Sequence, residues 1–421
     1  MIDQNFFTFD DELLQLERQA MDLCADKFAE LDEITQYNQL KVLHAFQQHQ
    51  IAESHLVDTT GYGYGDRGRD ALDAVFATIV GAEDALFRSG FASGTHALTV
   101  ALFGVLRTGD TMLSITGKPY DTLEEVIGLR GTGNGSLKDF GIHYEQVELK
   151  DDTFDRTEIA RRCVGKKVVY IQRSRGYSLR RSFTVEEIGD VISLVRQHNP
   201  TAIIMVDNCY GEFVQKIEPT QVGADLIMGS LIKNPGGGIA QSGGYIAGRH
   251  DLVELCSYRL TSPGTGRELG CSLGQNRALY MGLYHAPTVT GQATKVSVFA
   301  NALFSLLGYE VFPKVTEPRG DIISAIRLGD ERRLCAFCQG IQAGSAVDSS
   351  AVPEPCDMPG YESQVIMAAG AFTMGSSIEL SADAPIREPF AVWFQGGLNF
   401  ATGQIGVLTA AQNVRRIDRR S

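Results

Sequence analysis

At 421 residues, 43% hydrophobic and 21% charged, the chain has material for two or three core-forming units without disulfide or metal staples. Its 38 basic groups against 51 acidic ones leave a net charge of −13, which argues against a nucleic-acid footprint or an anionic membrane surface as partner. No apolar run approaches the roughly 18 residues of a membrane span, Met1 to Phe6 lacks a secretory pattern, and the cysteines are scattered as reduced thiols are, so a cytoplasmic protein is expected.

From Asp10 to about Ser54, apolar residues recur at helical spacing: Leu13, Leu14, Leu16, Met21 and Leu23, then Leu40, Val42, Leu43 and Phe46. This predicts two helices in an N-terminal segment of residues 1–60. The glycine-rich stretch Thr60 to Gly68 follows, and Tyr62, Tyr64 and Arg67 make it too rich in chemistry for a plain linker. A new helix begins near Asp70.

Short apolar runs at 85–87, 111–115, 167–171, 203–206, 226–228 and 244–247 then alternate with helical segments. That rhythm predicts an α/β fold with a mostly parallel central sheet flanked by helices, over residues 61–295. Ligands in such folds bind at the carboxyl ends of strands, and Ser93-Gly94-Thr95, Tyr120, Arg175, Asp207 and Lys233 all follow such runs. Helical spacing returns from Gly266 to Gly308. Beyond Tyr309, short alternating strands such as Asp321 to Arg327 predict a smaller C-terminal α+β domain, residues 296–421.

The strongest signal is Lys233 in the turn Ser230-Leu231-Ile232-Lys233-Asn234-Pro235-Gly236-Gly237-Gly238, which comes 26 residues (233 − 207) after a strand ending in Asp207. An amine for a Schiff base and an acid for a pyridine nitrogen are what pyridoxal phosphate chemistry requires. A lone lysine is more often a surface cation and a strand-end aspartate more often a cap, but Ser230 adds a hydroxyl suited to phosphate and the glycines allow close approach of a flat ligand. Ser93, Gly94 and Thr95 precede an apolar helix, as an N-cap, as a phosphate cradle, or as both. Tyr120 is either a packed aromatic or a ring stacked on the cofactor with its phenol near the reacting carbons.

Arg173 and Arg175 also follow a strand and suit either an anion or a solvated loop. Arg387, held between Pro385 and Pro389, is a candidate fork for a substrate carboxylate, with Glu388 as an alternative salt-bridge neighbour. Cys335 and Cys338 are spaced like half a zinc site but no second pair lies near, so no metal is expected. No Gly-x-Gly-x-x-Gly follows a predicted strand, as nicotinamide binding requires.

Together these motifs resemble the fold-type I pyridoxal phosphate enzymes of cysteine and methionine metabolism, and within them the methionine gamma-lyase-like branch called the aluminium resistance protein family. The likeness runs from about Gly61 to Phe390 and is most specific at Gly61-Tyr62-Gly63-Tyr64, Ser93 to Ala97, Gln172 to Tyr177, Val206-Asp207-Asn208, Gly229 to Gly238 and Pro385 to Pro389. It implies pyridoxal 5'-phosphate as cofactor, Lys233 as the Schiff-base lysine, Asp207 at the pyridine nitrogen, and Ser93, Gly94, Thr95 and Ser230 at the phosphate. It further implies Tyr120 as stacking ring, Arg175 on the cofactor, Arg387 as carboxylate clamp, and Tyr62, Tyr64 and Arg67 reaching a neighbouring subunit's phosphate in a homodimer or homotetramer. The usual Ser-x-Thr-Lys is here Ser230-Leu231-Ile232-Lys233, so one hydroxyl is lost.

The activity this implies is elimination at Cβ or Cγ of a cystathionine-, cysteine- or methionine-like substrate by a carbon-sulfur lyase. An aminotransferase, decarboxylase or racemase on the same fold, or a cofactor-binding protein with a non-catalytic role in metal tolerance, are the alternatives.

Overall fold

The computed structural model describes residues 5–131, 133–358 and 363–419. The N-terminal segment is built on one long helix, α1 (Asp11–Gln48), where apolar spacing predicted two. No glycine or proline occurs between residues 11 and 48, so nothing interrupts the backbone ladder. Asp10 caps its start by accepting the Leu13 N–H at 2.8 Å.

The chain continues through α2 (Arg67–Val80), β1 (Asp84–Arg88), α3 (Gly94–Val105), β2 (Thr111–Ser114), α4 (Asp121–Ile127), β3 (His143–Gln146), α5 (Arg156–Arg162) and β4 (Val168–Gln172). It then forms α6 (Val185–His198), β5 (Ile203–Asp207), β6 (Leu226–Ser230), β7 (Gly244–Gly248) and α7 (His250–Leu260). These seven strands make one sheet in the order β1-β7-β6-β5-β4-β2-β3. β7 runs antiparallel to both neighbours and every other pairing is parallel.

β1, β4, β5, β6 and β7 are buried along their whole length, which is why they read as unbroken apolar runs. β3, His-Tyr-Glu-Gln, carries no such run because it sits at the sheet edge, half exposed, against β2. Its polarity hid it from the apolar pattern.

Beyond them come α8 (Asn276–Leu306), β8 (Glu310–Phe312), β9 (Ser324–Arg327), α9 (Glu331–Ala343), β10 (Val365–Ala368), β11 (Ser381–Pro385), β12 (Ala391–Gln395) and α10 (Phe400–Asp418). The second sheet is wholly antiparallel, in the order β10-β11-β12-β9-β8. Its strands alternate as period two demands. Ala382, Ala384, Val392 and Phe394 enter a core with residues of α8, α9 and α10, while Asp383, Trp393 and Gln395 face the cavity described below.

Two helices tie the layers together. Leu13, Ala20, Cys24 and Leu31 of α1 belong to the core under the second sheet, and Val42 and Ala45 of the same helix to the core of the first. Leu279, Leu283 and Ala286 of α8 pack with the first core and Val296 to Phe304 with the second, so a division at 295/296 falls inside an unbroken helix. The two helices cross closely at Gly291, where a Cβ would stand 2.1 Å from Thr35 Oγ1. Among the described residues no helix is long and apolar enough to cross a membrane.

Candidate active site

A cavity of about 460 Å³ opens at the carboxyl ends of β4, β5 and β6 and is closed on its far side by β11 and β12. Lys233, Asp207, Ser93, Gly94, Thr95, Tyr120 and Ser230 all line it. Sequence positions spread over 140 residues (233 − 93) are therefore brought to one wall by the parallel strands.

Asp207 closes β5, in register with Gln172 on one side and Met228 on the other. Its carboxylate accepts the Cys209 N–H at 3.1 Å and the Tyr170 hydroxyl at 3.4 Å. Burial pushes its pKa up, and these two donors together with the charge of Lys233 oppose that rise. A buried carboxylate at a cavity wall, with no ion-pair partner among the described residues, suits a protonated ring nitrogen.

Lys233 follows β6, and its Nζ donates to Tyr210 Oη at 2.8 Å and to the Ser376 carbonyl at 2.6 Å. Burial works against its charge, but Tyr210, Cys209 and Asp383 outweigh that and hold its pKa above the usual lysine range. Tyr210 Oη also accepts from Gln395 Nε2 at 2.7 Å. The amine is thus fixed from both layers at once.

The start of α3 faces the cavity. Ser93 caps it by accepting the His96 N–H at 3.1 Å, leaving the Gly94 and Thr95 N–H groups among the first-turn donors that lack intrahelical acceptors. A Cβ on Gly94 would lie 3.0 Å from Ser230 Cβ, so glycine lets the helix end approach β6 closely. Thr95 Oγ1 lies 2.7 Å from Tyr120 Oη and 3.0 Å from Thr122 Oγ1. Tyr120 is anchored by its own N–H, which donates to Gln172 Oε1 at 2.8 Å; burial, then the Asp207 charge, raises its pKa and keeps the phenol protonated. An amine, a buried acid, a helix N-terminus with a nearby hydroxyl, and an aromatic ring meet on one wall, and this set fits pyridoxal phosphate.

The remaining expected residues lie elsewhere in this chain. Arg175 is almost fully buried and donates Nη1 to the Phe312 carbonyl at 3.0 Å; it lines a second cavity beside the first. Arg387 lines that second cavity and a small neighbouring one with Lys118, Asp121, Glu124 and Arg130. Tyr62, Tyr64 and Arg67 are exposed and away from the first cavity. Arg173 is structural: its Nη1 donates to Asn208 Oδ1 at 2.7 Å and to the Gly211 carbonyl at 3.0 Å.

Tyr210, Gln395, Ser376 and Asp383 were missed in the sequence. Tyr210 stands three residues past Asp207 in a left-handed conformation (φ 69°), and no motif marks it. Asp383 lies four residues before Arg387, on a strand whose short alternating pattern sets no residue apart.

Over residues 13–415 the chain matches the family model of methionine gamma-lyase. It is 47% identical over 405 residues to the uncharacterized protein YnbB of Bacillus subtilis, covering 95% of this chain and 96% of that one. A solved structure of a carbon-sulfur lyase involved in aluminum resistance from Clostridium novyi superposes with a TM-score of 0.94 at 49% identity, over 99% of this chain and 100% of the other. One from Clostridium acetobutylicum, described as a candidate cystathionine beta-lyase involved in aluminum resistance, gives 0.94 at 48% identity, over 97% of both chains. At 15% identity the pyridoxal-5'-phosphate-dependent protein YhfS of Escherichia coli still superposes with a TM-score of 0.61 over 92% of this chain and 97% of its own, so the fold is that of the fold-type I enzymes.

Proposed function

The chain belongs to the methionine gamma-lyase family, and on that premise we propose that it is a pyridoxal 5'-phosphate-dependent carbon-sulfur lyase eliminating a thiol from a sulfur-containing amino acid. The observation that carries the reading is the meeting of the Lys233 amine, the buried Asp207 carboxylate and the start of α3 on one cavity. The names of the two clostridial relatives support the same chemistry.

On this reading Lys233 would hold the cofactor covalently, Asp207 would pair with its ring nitrogen, the Gly94 and Thr95 N–H groups with the Ser230 hydroxyl would hold its phosphate, and Tyr120 would stack on it. When bound, the cofactor supplies an electron sink that makes the substrate's Cα–H acidic. Lys233 Nζ, released from the cofactor as a neutral amine when the substrate's amino group takes its place, would be the base that accepts that proton, steadied by Tyr210 and the Ser376 carbonyl. Tyr120 Oη, protonated and hydrogen-bonded to Thr95, or Lys233 itself then protonates the departing sulfur. Arg387 remains the candidate for the α-carboxylate, next to Asp121, which lines the first cavity as well as the two that Arg387 lines. The exposed Tyr62, Tyr64 and Arg67 suit a reach into the site of a second copy.

The test is direct. Protein incubated with pyridoxal phosphate turns yellow and releases keto acid and thiol from a thioether amino acid without an amino acceptor; Lys233→Ala loses the colour and at least ~10³-fold of the activity. A colourless wild-type protein overturns the proposal.

A further inference from the structure

Three arginines, Arg175, Arg180 and Arg319, share the field of one buried carboxylate, Asp321, and none of them forms an ion pair among the described residues. Asp321 spends its oxygens elsewhere, accepting the Ser174 hydroxyl at 2.9 Å and the N–H groups of Ile323 at 3.0 Å and Arg175 at 3.4 Å. The side chain of Arg175, 2% exposed as a residue, donates Nη1 to the Phe312 carbonyl and leaves Nε and Nη2 without an acceptor. Those two atoms share one edge of the planar guanidinium, the fork that grips an oxyanion with two parallel hydrogen bonds.

Arg180 is answered by neutral groups alone: Nη1 by the Arg181 carbonyl at 2.9 Å, Nη2 by the Gln172 and Ser174 carbonyls at 3.1 Å and 2.5 Å. Burial pulls the pKa of both arginines down, which is the mark of a charge without a counter-charge. Both line the second cavity, of about 740 Å³, and neither lines the first. The other arginine candidates there have acids of their own: Arg327 pairs with Glu310 at 2.5 Å, and Arg387 stands by Asp121. A surplus of buried positive charge in a chain of net charge −13 calls for an anion.

We infer that the second cavity is a binding site for a dissolved oxyanion of the sulfate or phosphate class, gripped by Arg175 and Arg180 and separate from the place of the amino acid in the first cavity. Its occupancy is felt next door. The Arg175 carbonyl accepts the Ser178 N–H at 3.2 Å and its hydroxyl at 2.9 Å, while the Ser178 carbonyl accepts Trp393 Nε1 at 3.2 Å. Gly176 and Tyr177, between them, line both cavities, so an anion on Arg175 steadies a wall of the first.

Trp393 is the chain's one tryptophan, and its emission therefore reports on this turn alone. Sulfate is titrated into the protein saturated with pyridoxal phosphate, replacing chloride at constant ionic strength. The wild type should give a saturable change, and Arg175→Gln should weaken it about tenfold or more, the usual effect of losing a charge-assisted bond. Arg180→Gln should weaken it as well, and reads the same affinity should Arg175→Gln fail to fold. Arg327→Gln, which removes a paired cation from the same cavity, should leave the affinity as it was. A wild-type response that never saturates overturns the inference, and so does an equal loss in Arg327→Gln, which is the signature of a general field. Repeating the titration at rising concentrations of norleucine tests separateness: strict competition would put Arg175 in the amino acid's own site and overturn it. The inference does not rest on the lyase reading, whose failure registers apart, as no thiol released by the yellow protein.

Discussion

The Lys233 amine donates to a phenol 23 residues earlier and to a carbonyl 143 residues later, so its immediate environment is assembled from three distant segments. Tyr210→Phe removes one of these contacts and one of the groups that raise the lysine's pKa. Its expected result is a tenfold or so lower rate with the cofactor still bound, and a pH–rate profile whose limb for Lys233 moves to lower pH. Behind the lysine, Glu212 is buried and accepts the Tyr245 hydroxyl at 2.6 Å; burial pushes its carboxyl up to about 8. The folded pKa lies above the unfolded value of about 4.5, so the folded state holds the proton more tightly. Stability is therefore full below pH ~4.5 and declines as pH rises to about 8. Glu212→Gln should remove that decline and be more stable than the wild type by roughly 2–5 kcal/mol at pH 8, with little difference at pH 5. Melting temperatures of both proteins across this range check it, and parallel curves would show that Glu212 does not titrate there.

At the scale of elements, the turn after β6 decides where the lysine stands. Gly237 adopts φ 55°, and a Cβ there would lie 2.3 Å from the Gly282 carbonyl of α8. Gly237→Ala should cost about 1–3 kcal/mol from the backbone conformation and the clash together, and should weaken cofactor retention because the displaced turn begins at Lys233. Melting temperature and absorbance after dialysis read the two effects. The run Asn234-Pro235-Gly236-Gly237-Gly238 marked this turn in the sequence, since glycines in a row signal close approach and positive φ. The start of α3 was equally legible, because Ser93 before an apolar helix is a capping pattern. The edge strand β3 was not, since a half-exposed strand needs no apolar run.

At the scale of the molecule, α1 and α8 each contribute to both cores and so couple the layer that carries Lys233 and Asp207 to the layer that supplies Asp383, Trp393 and Gln395. Leu13, fully buried at the start of α1, packs in the core beneath the second sheet. Leu13→Ala should destabilise the protein by about 2–5 kcal/mol through the cavity it leaves, while the cofactor colour of the folded enzyme stays that of the wild type. Denaturant midpoints and absorbance spectra test the two halves of that statement. The single helix α1 also explains why spacing alone suggested two. Its buried positions switch from one core to the other along its length, so the apolar stripe breaks while the backbone does not.

By itself the sequence determined the mostly parallel sheet, the strand ends and the residues carried on them: Asp207, Ser230, Lys233, Tyr120 and Ser93 to Thr95. A parallel sheet buried on both faces writes its strands as apolar runs, and its topology sends their carboxyl ends to one side. Tertiary structure decided what stands across the cavity from them. The second sheet brings Ser376, Asp383, Trp393 and Gln395 to Lys233 and Tyr210, and it sets Arg175 and Arg387 on the adjoining cavity. These placements depend on how two sheets pack through α1 and α8, and contacts between residues more than a hundred positions apart leave no local pattern for a sequence to display.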